Sequence, residues 1–269
     1  MKHILRRLSS LSLAALLVCG LCVPAGATPP TAEQDLKILF THDTHDCFLP
    51  MPAQGGGEYG GYTRLATLLK QERENAKTPV ITVDGGDFSM GSLFQTIYAT
   101  DAPELRALGA MSYDAVTLGN HEFDFRGQGL AGMLENAQKS GDTLPAVVLS
   151  NYKPNPDSEG ADAAQRAMDH YPVTDYTILE RDGLRIAVFG VMGVSGDECT
   201  PMSGMILEPV ADAAKRVVAE IQAQEKPDFI VCLSHGGTNK NPKKSEDELL
   251  AKAVPGIDVI VSGHTHSTL

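Results

Sequence analysis

Short runs of β-branched and aliphatic residues alternate along this chain with amphipathic segments, and this alternation restricts the possible folds more than any other feature. Helices are predicted at residues 62–75, 102–111 and 210–224, where apolar residues recur at three- and four-residue spacing. Strands are predicted at residues 36–41, 80–83, 115–117, 146–150, 177–179, 185–190, 229–234 and 259–262. A repeated order of strand, helix and strand is typical of an α/β protein with a largely parallel sheet.

Two segments depart from this alternation. Arg181-Asp182-Gly183 joins two of the predicted strands and favours an antiparallel hairpin, which would make one sheet mixed. The polar segment 152–170 contains two prolines and several acidic residues, so we expect a surface insertion or loop there, with His170 in solvent.

The first 27 residues have the pattern of a signal peptide. Lys2, Arg6 and Arg7 form a basic start, residues 8–23 are almost wholly apolar or small, and Ala25-Gly26-Ala27 is a small-x-small cleavage site. A membrane-spanning helix is the alternative, but the apolar run is shorter than the roughly 20 residues that a bilayer requires. We therefore expect an exported periplasmic or extracellular protein, with residues 28–269 as one domain and no stable membrane insertion after cleavage.

The charge of the chain restricts its partners. The formal net charge is −12, and removal of Lys2, Arg6 and Arg7 with the signal peptide would change it to −15. Such an acidic surface argues against nucleic acid or an anionic membrane as partner. Carboxylates that bind metal ions would account for part of this excess of acidic residues.

The cysteines give little information about function. Cys232 lies inside an apolar run and is expected to be a buried thiol. Cys47 and Cys199 could form a disulfide outside the cytoplasm, but an odd number of cysteines in residues 28–269 defines no framework. We expect Cys47 to pack against its neighbours, and the role of Cys199 stays open.

Polar clusters follow five of the predicted strands, at the point where each strand ends. These clusters are His42-Asp43-Thr44-His45-Asp46, Asp84-Gly85-Gly86-Asp87, the segment 119–124, Ser234-His235-Gly236-Gly237, and Gly263-His264-Thr265-His266. Each has a simpler interpretation, such as a helix N-cap at Asp43, a turn residue at Asp87 or a satisfied buried histidine at His235. Because the carboxyl ends of parallel strands meet at one edge, five such clusters together favour a common ligand site.

The order of these motifs, D-x-H, G-D, G-N-H-E, S-H and G-H-x-H, resembles the calcineurin-like metallophosphoesterases from Asp43 to His266. Gly119-Asn120-His121-Glu122-Phe123-Asp124 resembles the branch of bacterial periplasmic 5′-nucleotidases and UDP-sugar hydrolases. The resemblance implies a four-layer α/β/β/α sandwich with mixed sheets and a centre of two divalent metal ions. Nitrogen and oxygen ligands without thiolate suit Mn, Zn, Fe or Mg.

The resemblance also assigns roles to individual residues. It places Asp43, His45 and His266 on one metal ion, Asn120, His235 and His264 on the second, and Asp87 between both. His121 is expected to stabilise the transition state or to protonate the leaving group, and Asp124 to fix its tautomer, although Asp124 could instead cap the following helix. Glu122 is expected to orient a neighbouring loop.

The expected reaction is hydrolysis of a phosphate ester, most simply of a nucleoside monophosphate by a 5′-nucleotidase. In this mechanism two metal ions share a water molecule and lower its pKa. A 2′,3′-cyclic nucleotide phosphodiesterase and a UDP-sugar pyrophosphatase are alternatives that use the same centre. Proteins of this branch continue into a second, nucleotide-binding domain, so we expect a chain truncated at its C-terminus. A catalytically weak metal-binding fragment is the alternative from another class.

Overall fold

The runs of Val, Ile, Leu and Phe form two four-stranded sheets in the computed structural model of this chain. The structure describes residues 35–267, and the predicted signal peptide lies outside them. The strands in this part of the chain are β1 (Lys37–Thr41), β2 (Met51–Pro52), β3 (Glu58–Tyr59), β4 (Val80–Asp84), β5 (Ala115–Val116), β6 (Ala146–Val147), β7 (Tyr152–Pro154), β8 (Tyr176–Arg181), β9 (Leu184–Met192), β10 (Met205–Leu207), β11 (Phe229–His235) and β12 (Val259–Ser262).

Along the chain, most of the helices connect one strand of a sheet to the next strand. They are α1 (Tyr62–Glu74), α2 (Tyr98–Asp101), α3 (Pro103–Ala110), α4 (Arg126–Lys139), α5 (Ala161–His170), α6 (Val194–Cys199), α7 (Val210–Gln224) and α8 (Glu246–Ala253), with 3₁₀ turns at Leu93–Ile97 and His121–Phe123. Among residues 35–267, no helix combines the length and the apolar character that a membrane crossing requires.

The first sheet is parallel throughout and has the strand order β1-β4-β5-β6. The second has the order β12-β11-β9-β8, in which β8 alone runs antiparallel to its neighbour. Asp182 and Gly183 connect β8 to β9 with φ values of 50° and 89°, the positive values that a two-residue hairpin turn favours. The predicted hairpin is therefore confirmed.

Three apolar clusters separate four layers. Ile81 and Val83 of the first sheet pack against Ile186 and Val231 of the second. The other face of the first sheet packs against α1, α3, α4 and α5, and the other face of the second packs against α7 and α8. Successive strand residues point to opposite faces, so β9 buries Ile186 between the sheets and Ala187 beneath the helices. This arrangement confirms the predicted α/β/β/α fold.

The prediction of a loop at residues 152–170 was wrong. Residues 161–170 form α5, and β7 pairs with β10. Ala164, Ala167 and Met168 lie buried on one side of α5. Alanine carries little hydrophobic signal, and the two prolines and the acidic residues of the segment favoured a loop over the helical period. His170 is exposed, as predicted.

Candidate metal centre

The seven residues predicted as metal ligands come together at the carboxyl ends of β1, β4, β5, β11 and β12. Among residues 35–267, three groups of side chains place their ligand atoms within 4.8 Å of one another. These groups are Asp43 with His45 and His266, His45 with Asp87 and His121, and Asp87 with His235 and His264. Asp87 belongs to two of them, so it lies near His45 of the first predicted site and near His235 and His264 of the second.

The first predicted site combines residues from opposite ends of the described chain. His266 Nε2 lies 3.1 Å from His45 Nε2 and 3.3 Å from Asp43 Oδ1. The Asp43 carboxylate also accepts the His264 backbone N–H at 2.9 Å, which ties the loop after β1 to the loop after β12. His42 Nδ1 donates to Asp43 Oδ2 at 2.6 Å, and His42 does not join the group itself.

The second predicted site is more deeply buried. His235 is fully buried, and its Nε2 lies 3.1 Å from Asp87 Oδ2 and 3.2 Å from Asn120 Oδ1. Asn120 and Asp87 are 3% and 2% exposed, so these donors are almost completely removed from water. The His264 ring lies 5.1 Å from the His235 ring and completes the set.

Two imidazoles are oriented by backbone carbonyl groups. His45 Nδ1 lies 2.9 Å from the Met90 carbonyl oxygen, and His235 Nδ1 lies 2.7 Å from that of Gly85. A carbonyl oxygen only accepts hydrogen bonds, so Nδ1 carries a proton in each ring and Nε2 faces the centre. Histidines that ligate metals commonly make this second hydrogen bond.

The donor set fits a divalent cation. His45 Nε2 and His266 Nε2 approach to 3.1 Å although His45 has its proton on Nδ1, so the pair requires a cation or a shared proton between the rings. The donors are imidazole nitrogen, carboxylate oxygen and amide oxygen, which suit Mn²⁺, Zn²⁺, Fe²⁺ or Mg²⁺. Neither exposed cysteine belongs to the three groups.

The charges of the centre reinforce this fit. Burial by itself would raise the pKa of Asp87, but the neighbouring His235 lowers it to about 2. Burial would likewise lower the pKa of His235, but the Asp87 carboxylate raises it to about 9. A proton on His235 thus neutralises Asp87 when no metal is bound, and a cation would take over that function.

Most of the predicted ligands adopt left-handed backbone conformations. The φ values of these residues lie between 43° and 72° at Asp43, His45, Asp87, His264 and His266. Such conformations cost about 1–3 kcal/mol each in non-glycine residues and persist only where the surrounding structure imposes them. The two sheets and their cross-connections hold the loops in place, so the ligand atoms converge on one centre.

Glu122 connects two of these loops, in agreement with its predicted role. Its fully buried carboxylate accepts the backbone N–H groups of Asp87 at 2.9 Å, Ser89 at 3.0 Å and Gly119 at 2.6 Å. These contacts fix the loop after β4 against the loop after β5. Asp87 and Asn120, which belong to these two loops, are thereby placed side by side.

His121 and Asp124 form the predicted pair beside the ligands. Asp124 Oδ2 lies 3.0 Å from His121 Nδ1, and the two side chains are 24% and 32% exposed. The His121 backbone N–H donates to Asp87 Oδ1 at 2.8 Å. Because the Asp124 carboxylate accepts Nδ1–H, Nε2 of His121 remains free for a ligand. Asp124 follows the 3₁₀ turn and makes no hydrogen bond to the N-terminus of α4.

A cavity of about 470 Å³ opens over the centre. The residues that line it are His45, Asp87, Met90, Gly91, Asn120, His121, Cys199, His264 and His266. Its size is sufficient for a small phosphate ester. Cys47 lines a different cavity and is exposed, contrary to our expectation that it packs, whereas Cys232 is buried as predicted. Both Cys47 and Cys199 are free thiols.

Sequence reasoning missed two residues that contact the ligands. Gly119 lies so close to Asp87 and His235 that no side chain fits there. Ser195 Oγ lies 3.1 Å from His264 Nε2. The glycine belonged to a recognised motif, but only the packing explains why it has to be glycine. Ser195 has no local signal, because α6 reaches His264 only through the pairing of β9 with β11.

Comparison with known proteins agrees with the fold and the motifs. The family model "Calcineurin-like phosphoesterase" matches residues 36–268. The 5′-nucleotidase of Vibrio cholerae is 29% identical over 96% of this chain, and the 2′,3′-cyclic-nucleotide 2′-phosphodiesterase/3′-nucleotidase of Yersinia enterocolitica is 26% identical over 93%. The crystal structure of a 5′-nucleotidase precursor from Thermus thermophilus superposes with a TM-score of 0.69 at 25% identity over 86% of this chain.

This chain spans 45%, 39% and 42% of the length of those three proteins, respectively. The match nevertheless covers almost all of the residues that the structure describes, including every strand and all seven predicted ligands. The chain therefore belongs to the calcineurin-like phosphoesterase family.

Proposed function

We propose that this chain hydrolyses phosphate esters with two divalent cations and that nucleoside monophosphates are its substrates. One observation carries the proposal: Asp87 is shared by two adjacent groups of nitrogen and oxygen donors. The residues that would hold one cation are Asp43, His45 and His266, those for the other are Asn120, His235 and His264, and Asp87 would contact both.

Two divalent cations bound at such a centre supply Lewis acidity, which polarises phosphoryl oxygens and lowers the pKa of a water molecule. The residues of the chain supply orientation and proton transfer. Asp124 holds Nδ1–H of His121, so a second proton on this ring resides on Nε2, and the resulting imidazolium is placed to donate it to a phosphoryl oxygen or to the leaving oxygen. The chemistry requires no covalent intermediate with the protein.

Similarity to 5′-nucleotidases supports a nucleoside monophosphate as substrate. A 2′,3′-cyclic nucleotide phosphodiesterase is the second candidate, because the Yersinia enterocolitica relative has this activity in its name. UDP-sugar pyrophosphatase activity and a weakly active metal-binding fragment are the further alternatives.

The experiment is an assay of the purified chain with added Mn²⁺ against AMP, 2′,3′-cyclic AMP and bis-p-nitrophenyl phosphate. Faster release of phosphate from AMP than turnover of the two diesters would support the proposal. Preference for cyclic AMP would favour the second candidate. Binding of two Mn²⁺ without hydrolysis of any substrate would favour the fragment. If the variant Asp87→Asn retained both Mn²⁺ binding and turnover, the shared centre would be refuted.

We further propose that residues 1–27 direct export and that the mature chain begins at Thr28. The basic start, the apolar segment and the small-x-small site support this proposal. N-terminal sequencing of the protein recovered from the periplasm or culture medium would test it. A periplasmic or secreted chain that starts at Met1 would contradict cleavage, and a chain retained in the cytoplasm would contradict export.

A further inference from the structure

The ring of His264 contacts a side chain, in contrast to the rings of His45 and His235. Its Nε2 lies 3.1 Å from Ser195 Oγ, whereas the other two rings direct Nδ1 to backbone carbonyl groups. A hydroxyl can donate or accept, so Ser195 is the only one of these three partners that a single substitution can remove. The choice of which His264 ring nitrogen carries the proton therefore depends on a side chain of α6.

Glu246 fixes the position of Ser195. Its two carboxylate oxygens accept the backbone N–H groups of Val194 at 2.7 Å and Ser195 at 2.8 Å. These are the first two residues of α6, whose N–H groups lack partners within the helix. Glu246 is the first residue of α8, so a carboxylate from another helix sets where the Ser195 hydroxyl lies.

The backbone of His264 is held without Ser195. Its N–H donates to Asp43 Oδ2 at 2.9 Å, and Gly263 N–H donates to the Ser234 carbonyl oxygen at 2.9 Å. Ser234 and Ser262, which pair across β11 and β12, both donate their hydroxyls to Asp247. Loss of the Ser195 hydroxyl would thus release the ring of His264 but not the loop that carries it.

We propose that Ser195, positioned by Glu246, accepts Nε2–H of His264 and thereby leaves Nδ1 of this ring to the cation that Asn120 and His235 also bind. This inference rests on the two-cation centre of the proposed function. Ser195 is a positioning residue, because it acts through His264 and contacts neither cation nor substrate. Its effect is confined to one of the two metal sites.

The experiment is a calorimetric titration of Mn²⁺ into the chelator-treated chain and its variants. Ser195→Ala should weaken one Mn²⁺ site by about 10–100-fold, the usual effect of removing a hydrogen-bond partner of a ligating histidine, and leave the other unchanged. Ser195→Thr keeps the hydroxyl and should restore both affinities. Glu246→Gln should weaken the same site as Ser195→Ala, because its amide nitrogen cannot accept a hydrogen bond from α6.

Glu248→Gln is the matched control. Glu248 lies in the same turn of α8 and, within residues 35–267, forms an ion pair with exposed Lys252 alone, so both Mn²⁺ affinities should equal those of the wild type. Circular dichroism and urea unfolding would show that each variant is folded. The selective loss at one site and its rescue by threonine are effects that a general structural role would not produce.

Wild-type affinity at both sites in Ser195→Ala would overturn the inference, and so would an equal loss at both sites. A loss that Ser195→Thr fails to restore would also overturn it. Failure of the proposed function gives a different result from failure of this inference. If the wild-type chain binds two Mn²⁺ but hydrolyses none of the three esters, the function is refuted, and a site-selective loss in Ser195→Ala still supports the inference. Binding of fewer than two Mn²⁺ by the wild type would overturn both.

Discussion

Replacement of Gly119 by alanine should disable both metal sites by adding one methyl group. A Cβ atom at this position would lie 2.5 Å from His235 Cε1 and 2.6 Å from the Asp87 backbone nitrogen, and it would also meet Asp87 Oδ1. Real Cβ contacts essentially never fall below 3.0 Å. The backbone at Asp87 would have to retreat by at least 0.4 Å, from 2.6 to 3.0 Å, and His235 by a similar amount.

The energetic cost has two parts. Inserting a methyl group into a tightly packed interior costs about 1–3 kcal/mol. Movement of Asp87 also disturbs its N–H bond to Glu122 and its carboxylate bond from the His121 N–H, at about 1 kcal/mol each. We therefore expect the free energy of unfolding of the metal-free chain to fall by about 3–5 kcal/mol. Because Asp87 belongs to both predicted sites, Mn²⁺ affinity should fall at both.

Urea unfolding in the presence of chelator measures the first effect, and Mn²⁺ calorimetry measures the second. Gly127→Ala is the matched control, since Gly127 is also buried but its nearest neighbour would be Ala164 Cβ at 3.3 Å. This control should bind Mn²⁺ normally and change the unfolding free energy by no more than about 1 kcal/mol. If Gly119→Ala unfolds and binds Mn²⁺ as the wild type does, the close packing around Asp87 has been misjudged.

Three further outcomes are expected. Asp124→Asn should lower the turnover number by about 10–100-fold without changing Mn²⁺ affinity, because it loosens His121 but no ligand; weaker Mn²⁺ binding would contradict the assignment. Burial raises the pKa of Asp247 to about 6, so the folded chain binds this proton more tightly than the unfolded chain does. The protonated carboxyl therefore contributes fully to the free energy of unfolding below pH 3.8, and this contribution is lost as the pH rises through 6. Asp247→Asn should therefore remove about 3 kcal/mol of pH dependence from urea unfolding between pH 4 and 7, and an unchanged profile would refute this. Mn²⁺ at 100 times its Kd should add about 2.7 kcal/mol per site to the free energy of unfolding, and chelator should abolish hydrolysis. A melting temperature that changes neither with added Mn²⁺ nor with chelator would contradict a metal centre.

The sequence predicts the secondary structure best where the spacing of apolar residues matches the side of the strand or helix that is buried. β12 (Val259–Ser262) and α7 (Val210–Gln224) have the bounds that the pattern predicted, because each has a continuous apolar run or a regular apolar stripe. The strand predicted at 146–150 is shorter, since only Ala146 and Val147 pair with β5. α5 was missed because alanines form most of its buried face and two prolines precede it, although its buried residues recur at helical spacing.

The candidate site was predictable for side chains whose type already indicates metal chemistry. Asp43, His45 and Asp87 stand at strand ends, and the parallel sheet brings those ends together. Ser195 and Gly119 were not predictable in this way. Their importance arises from distances across elements that are far apart in the sequence, and no local pattern of residue types encodes such distances.

The span of the ligand set has a consequence for biosynthesis. His45 and His266 approach each other across 221 positions of sequence, and β12 must pair with β11 before His264 and His266 reach the centre. A nascent chain therefore lacks a complete binding site until its final described strand has been made and folded. Affinity order alone would favour copper or zinc over manganese at nitrogen and oxygen donors. The metal that the protein acquires would thus be decided by the cations available in the compartment where β12 pairs with β11.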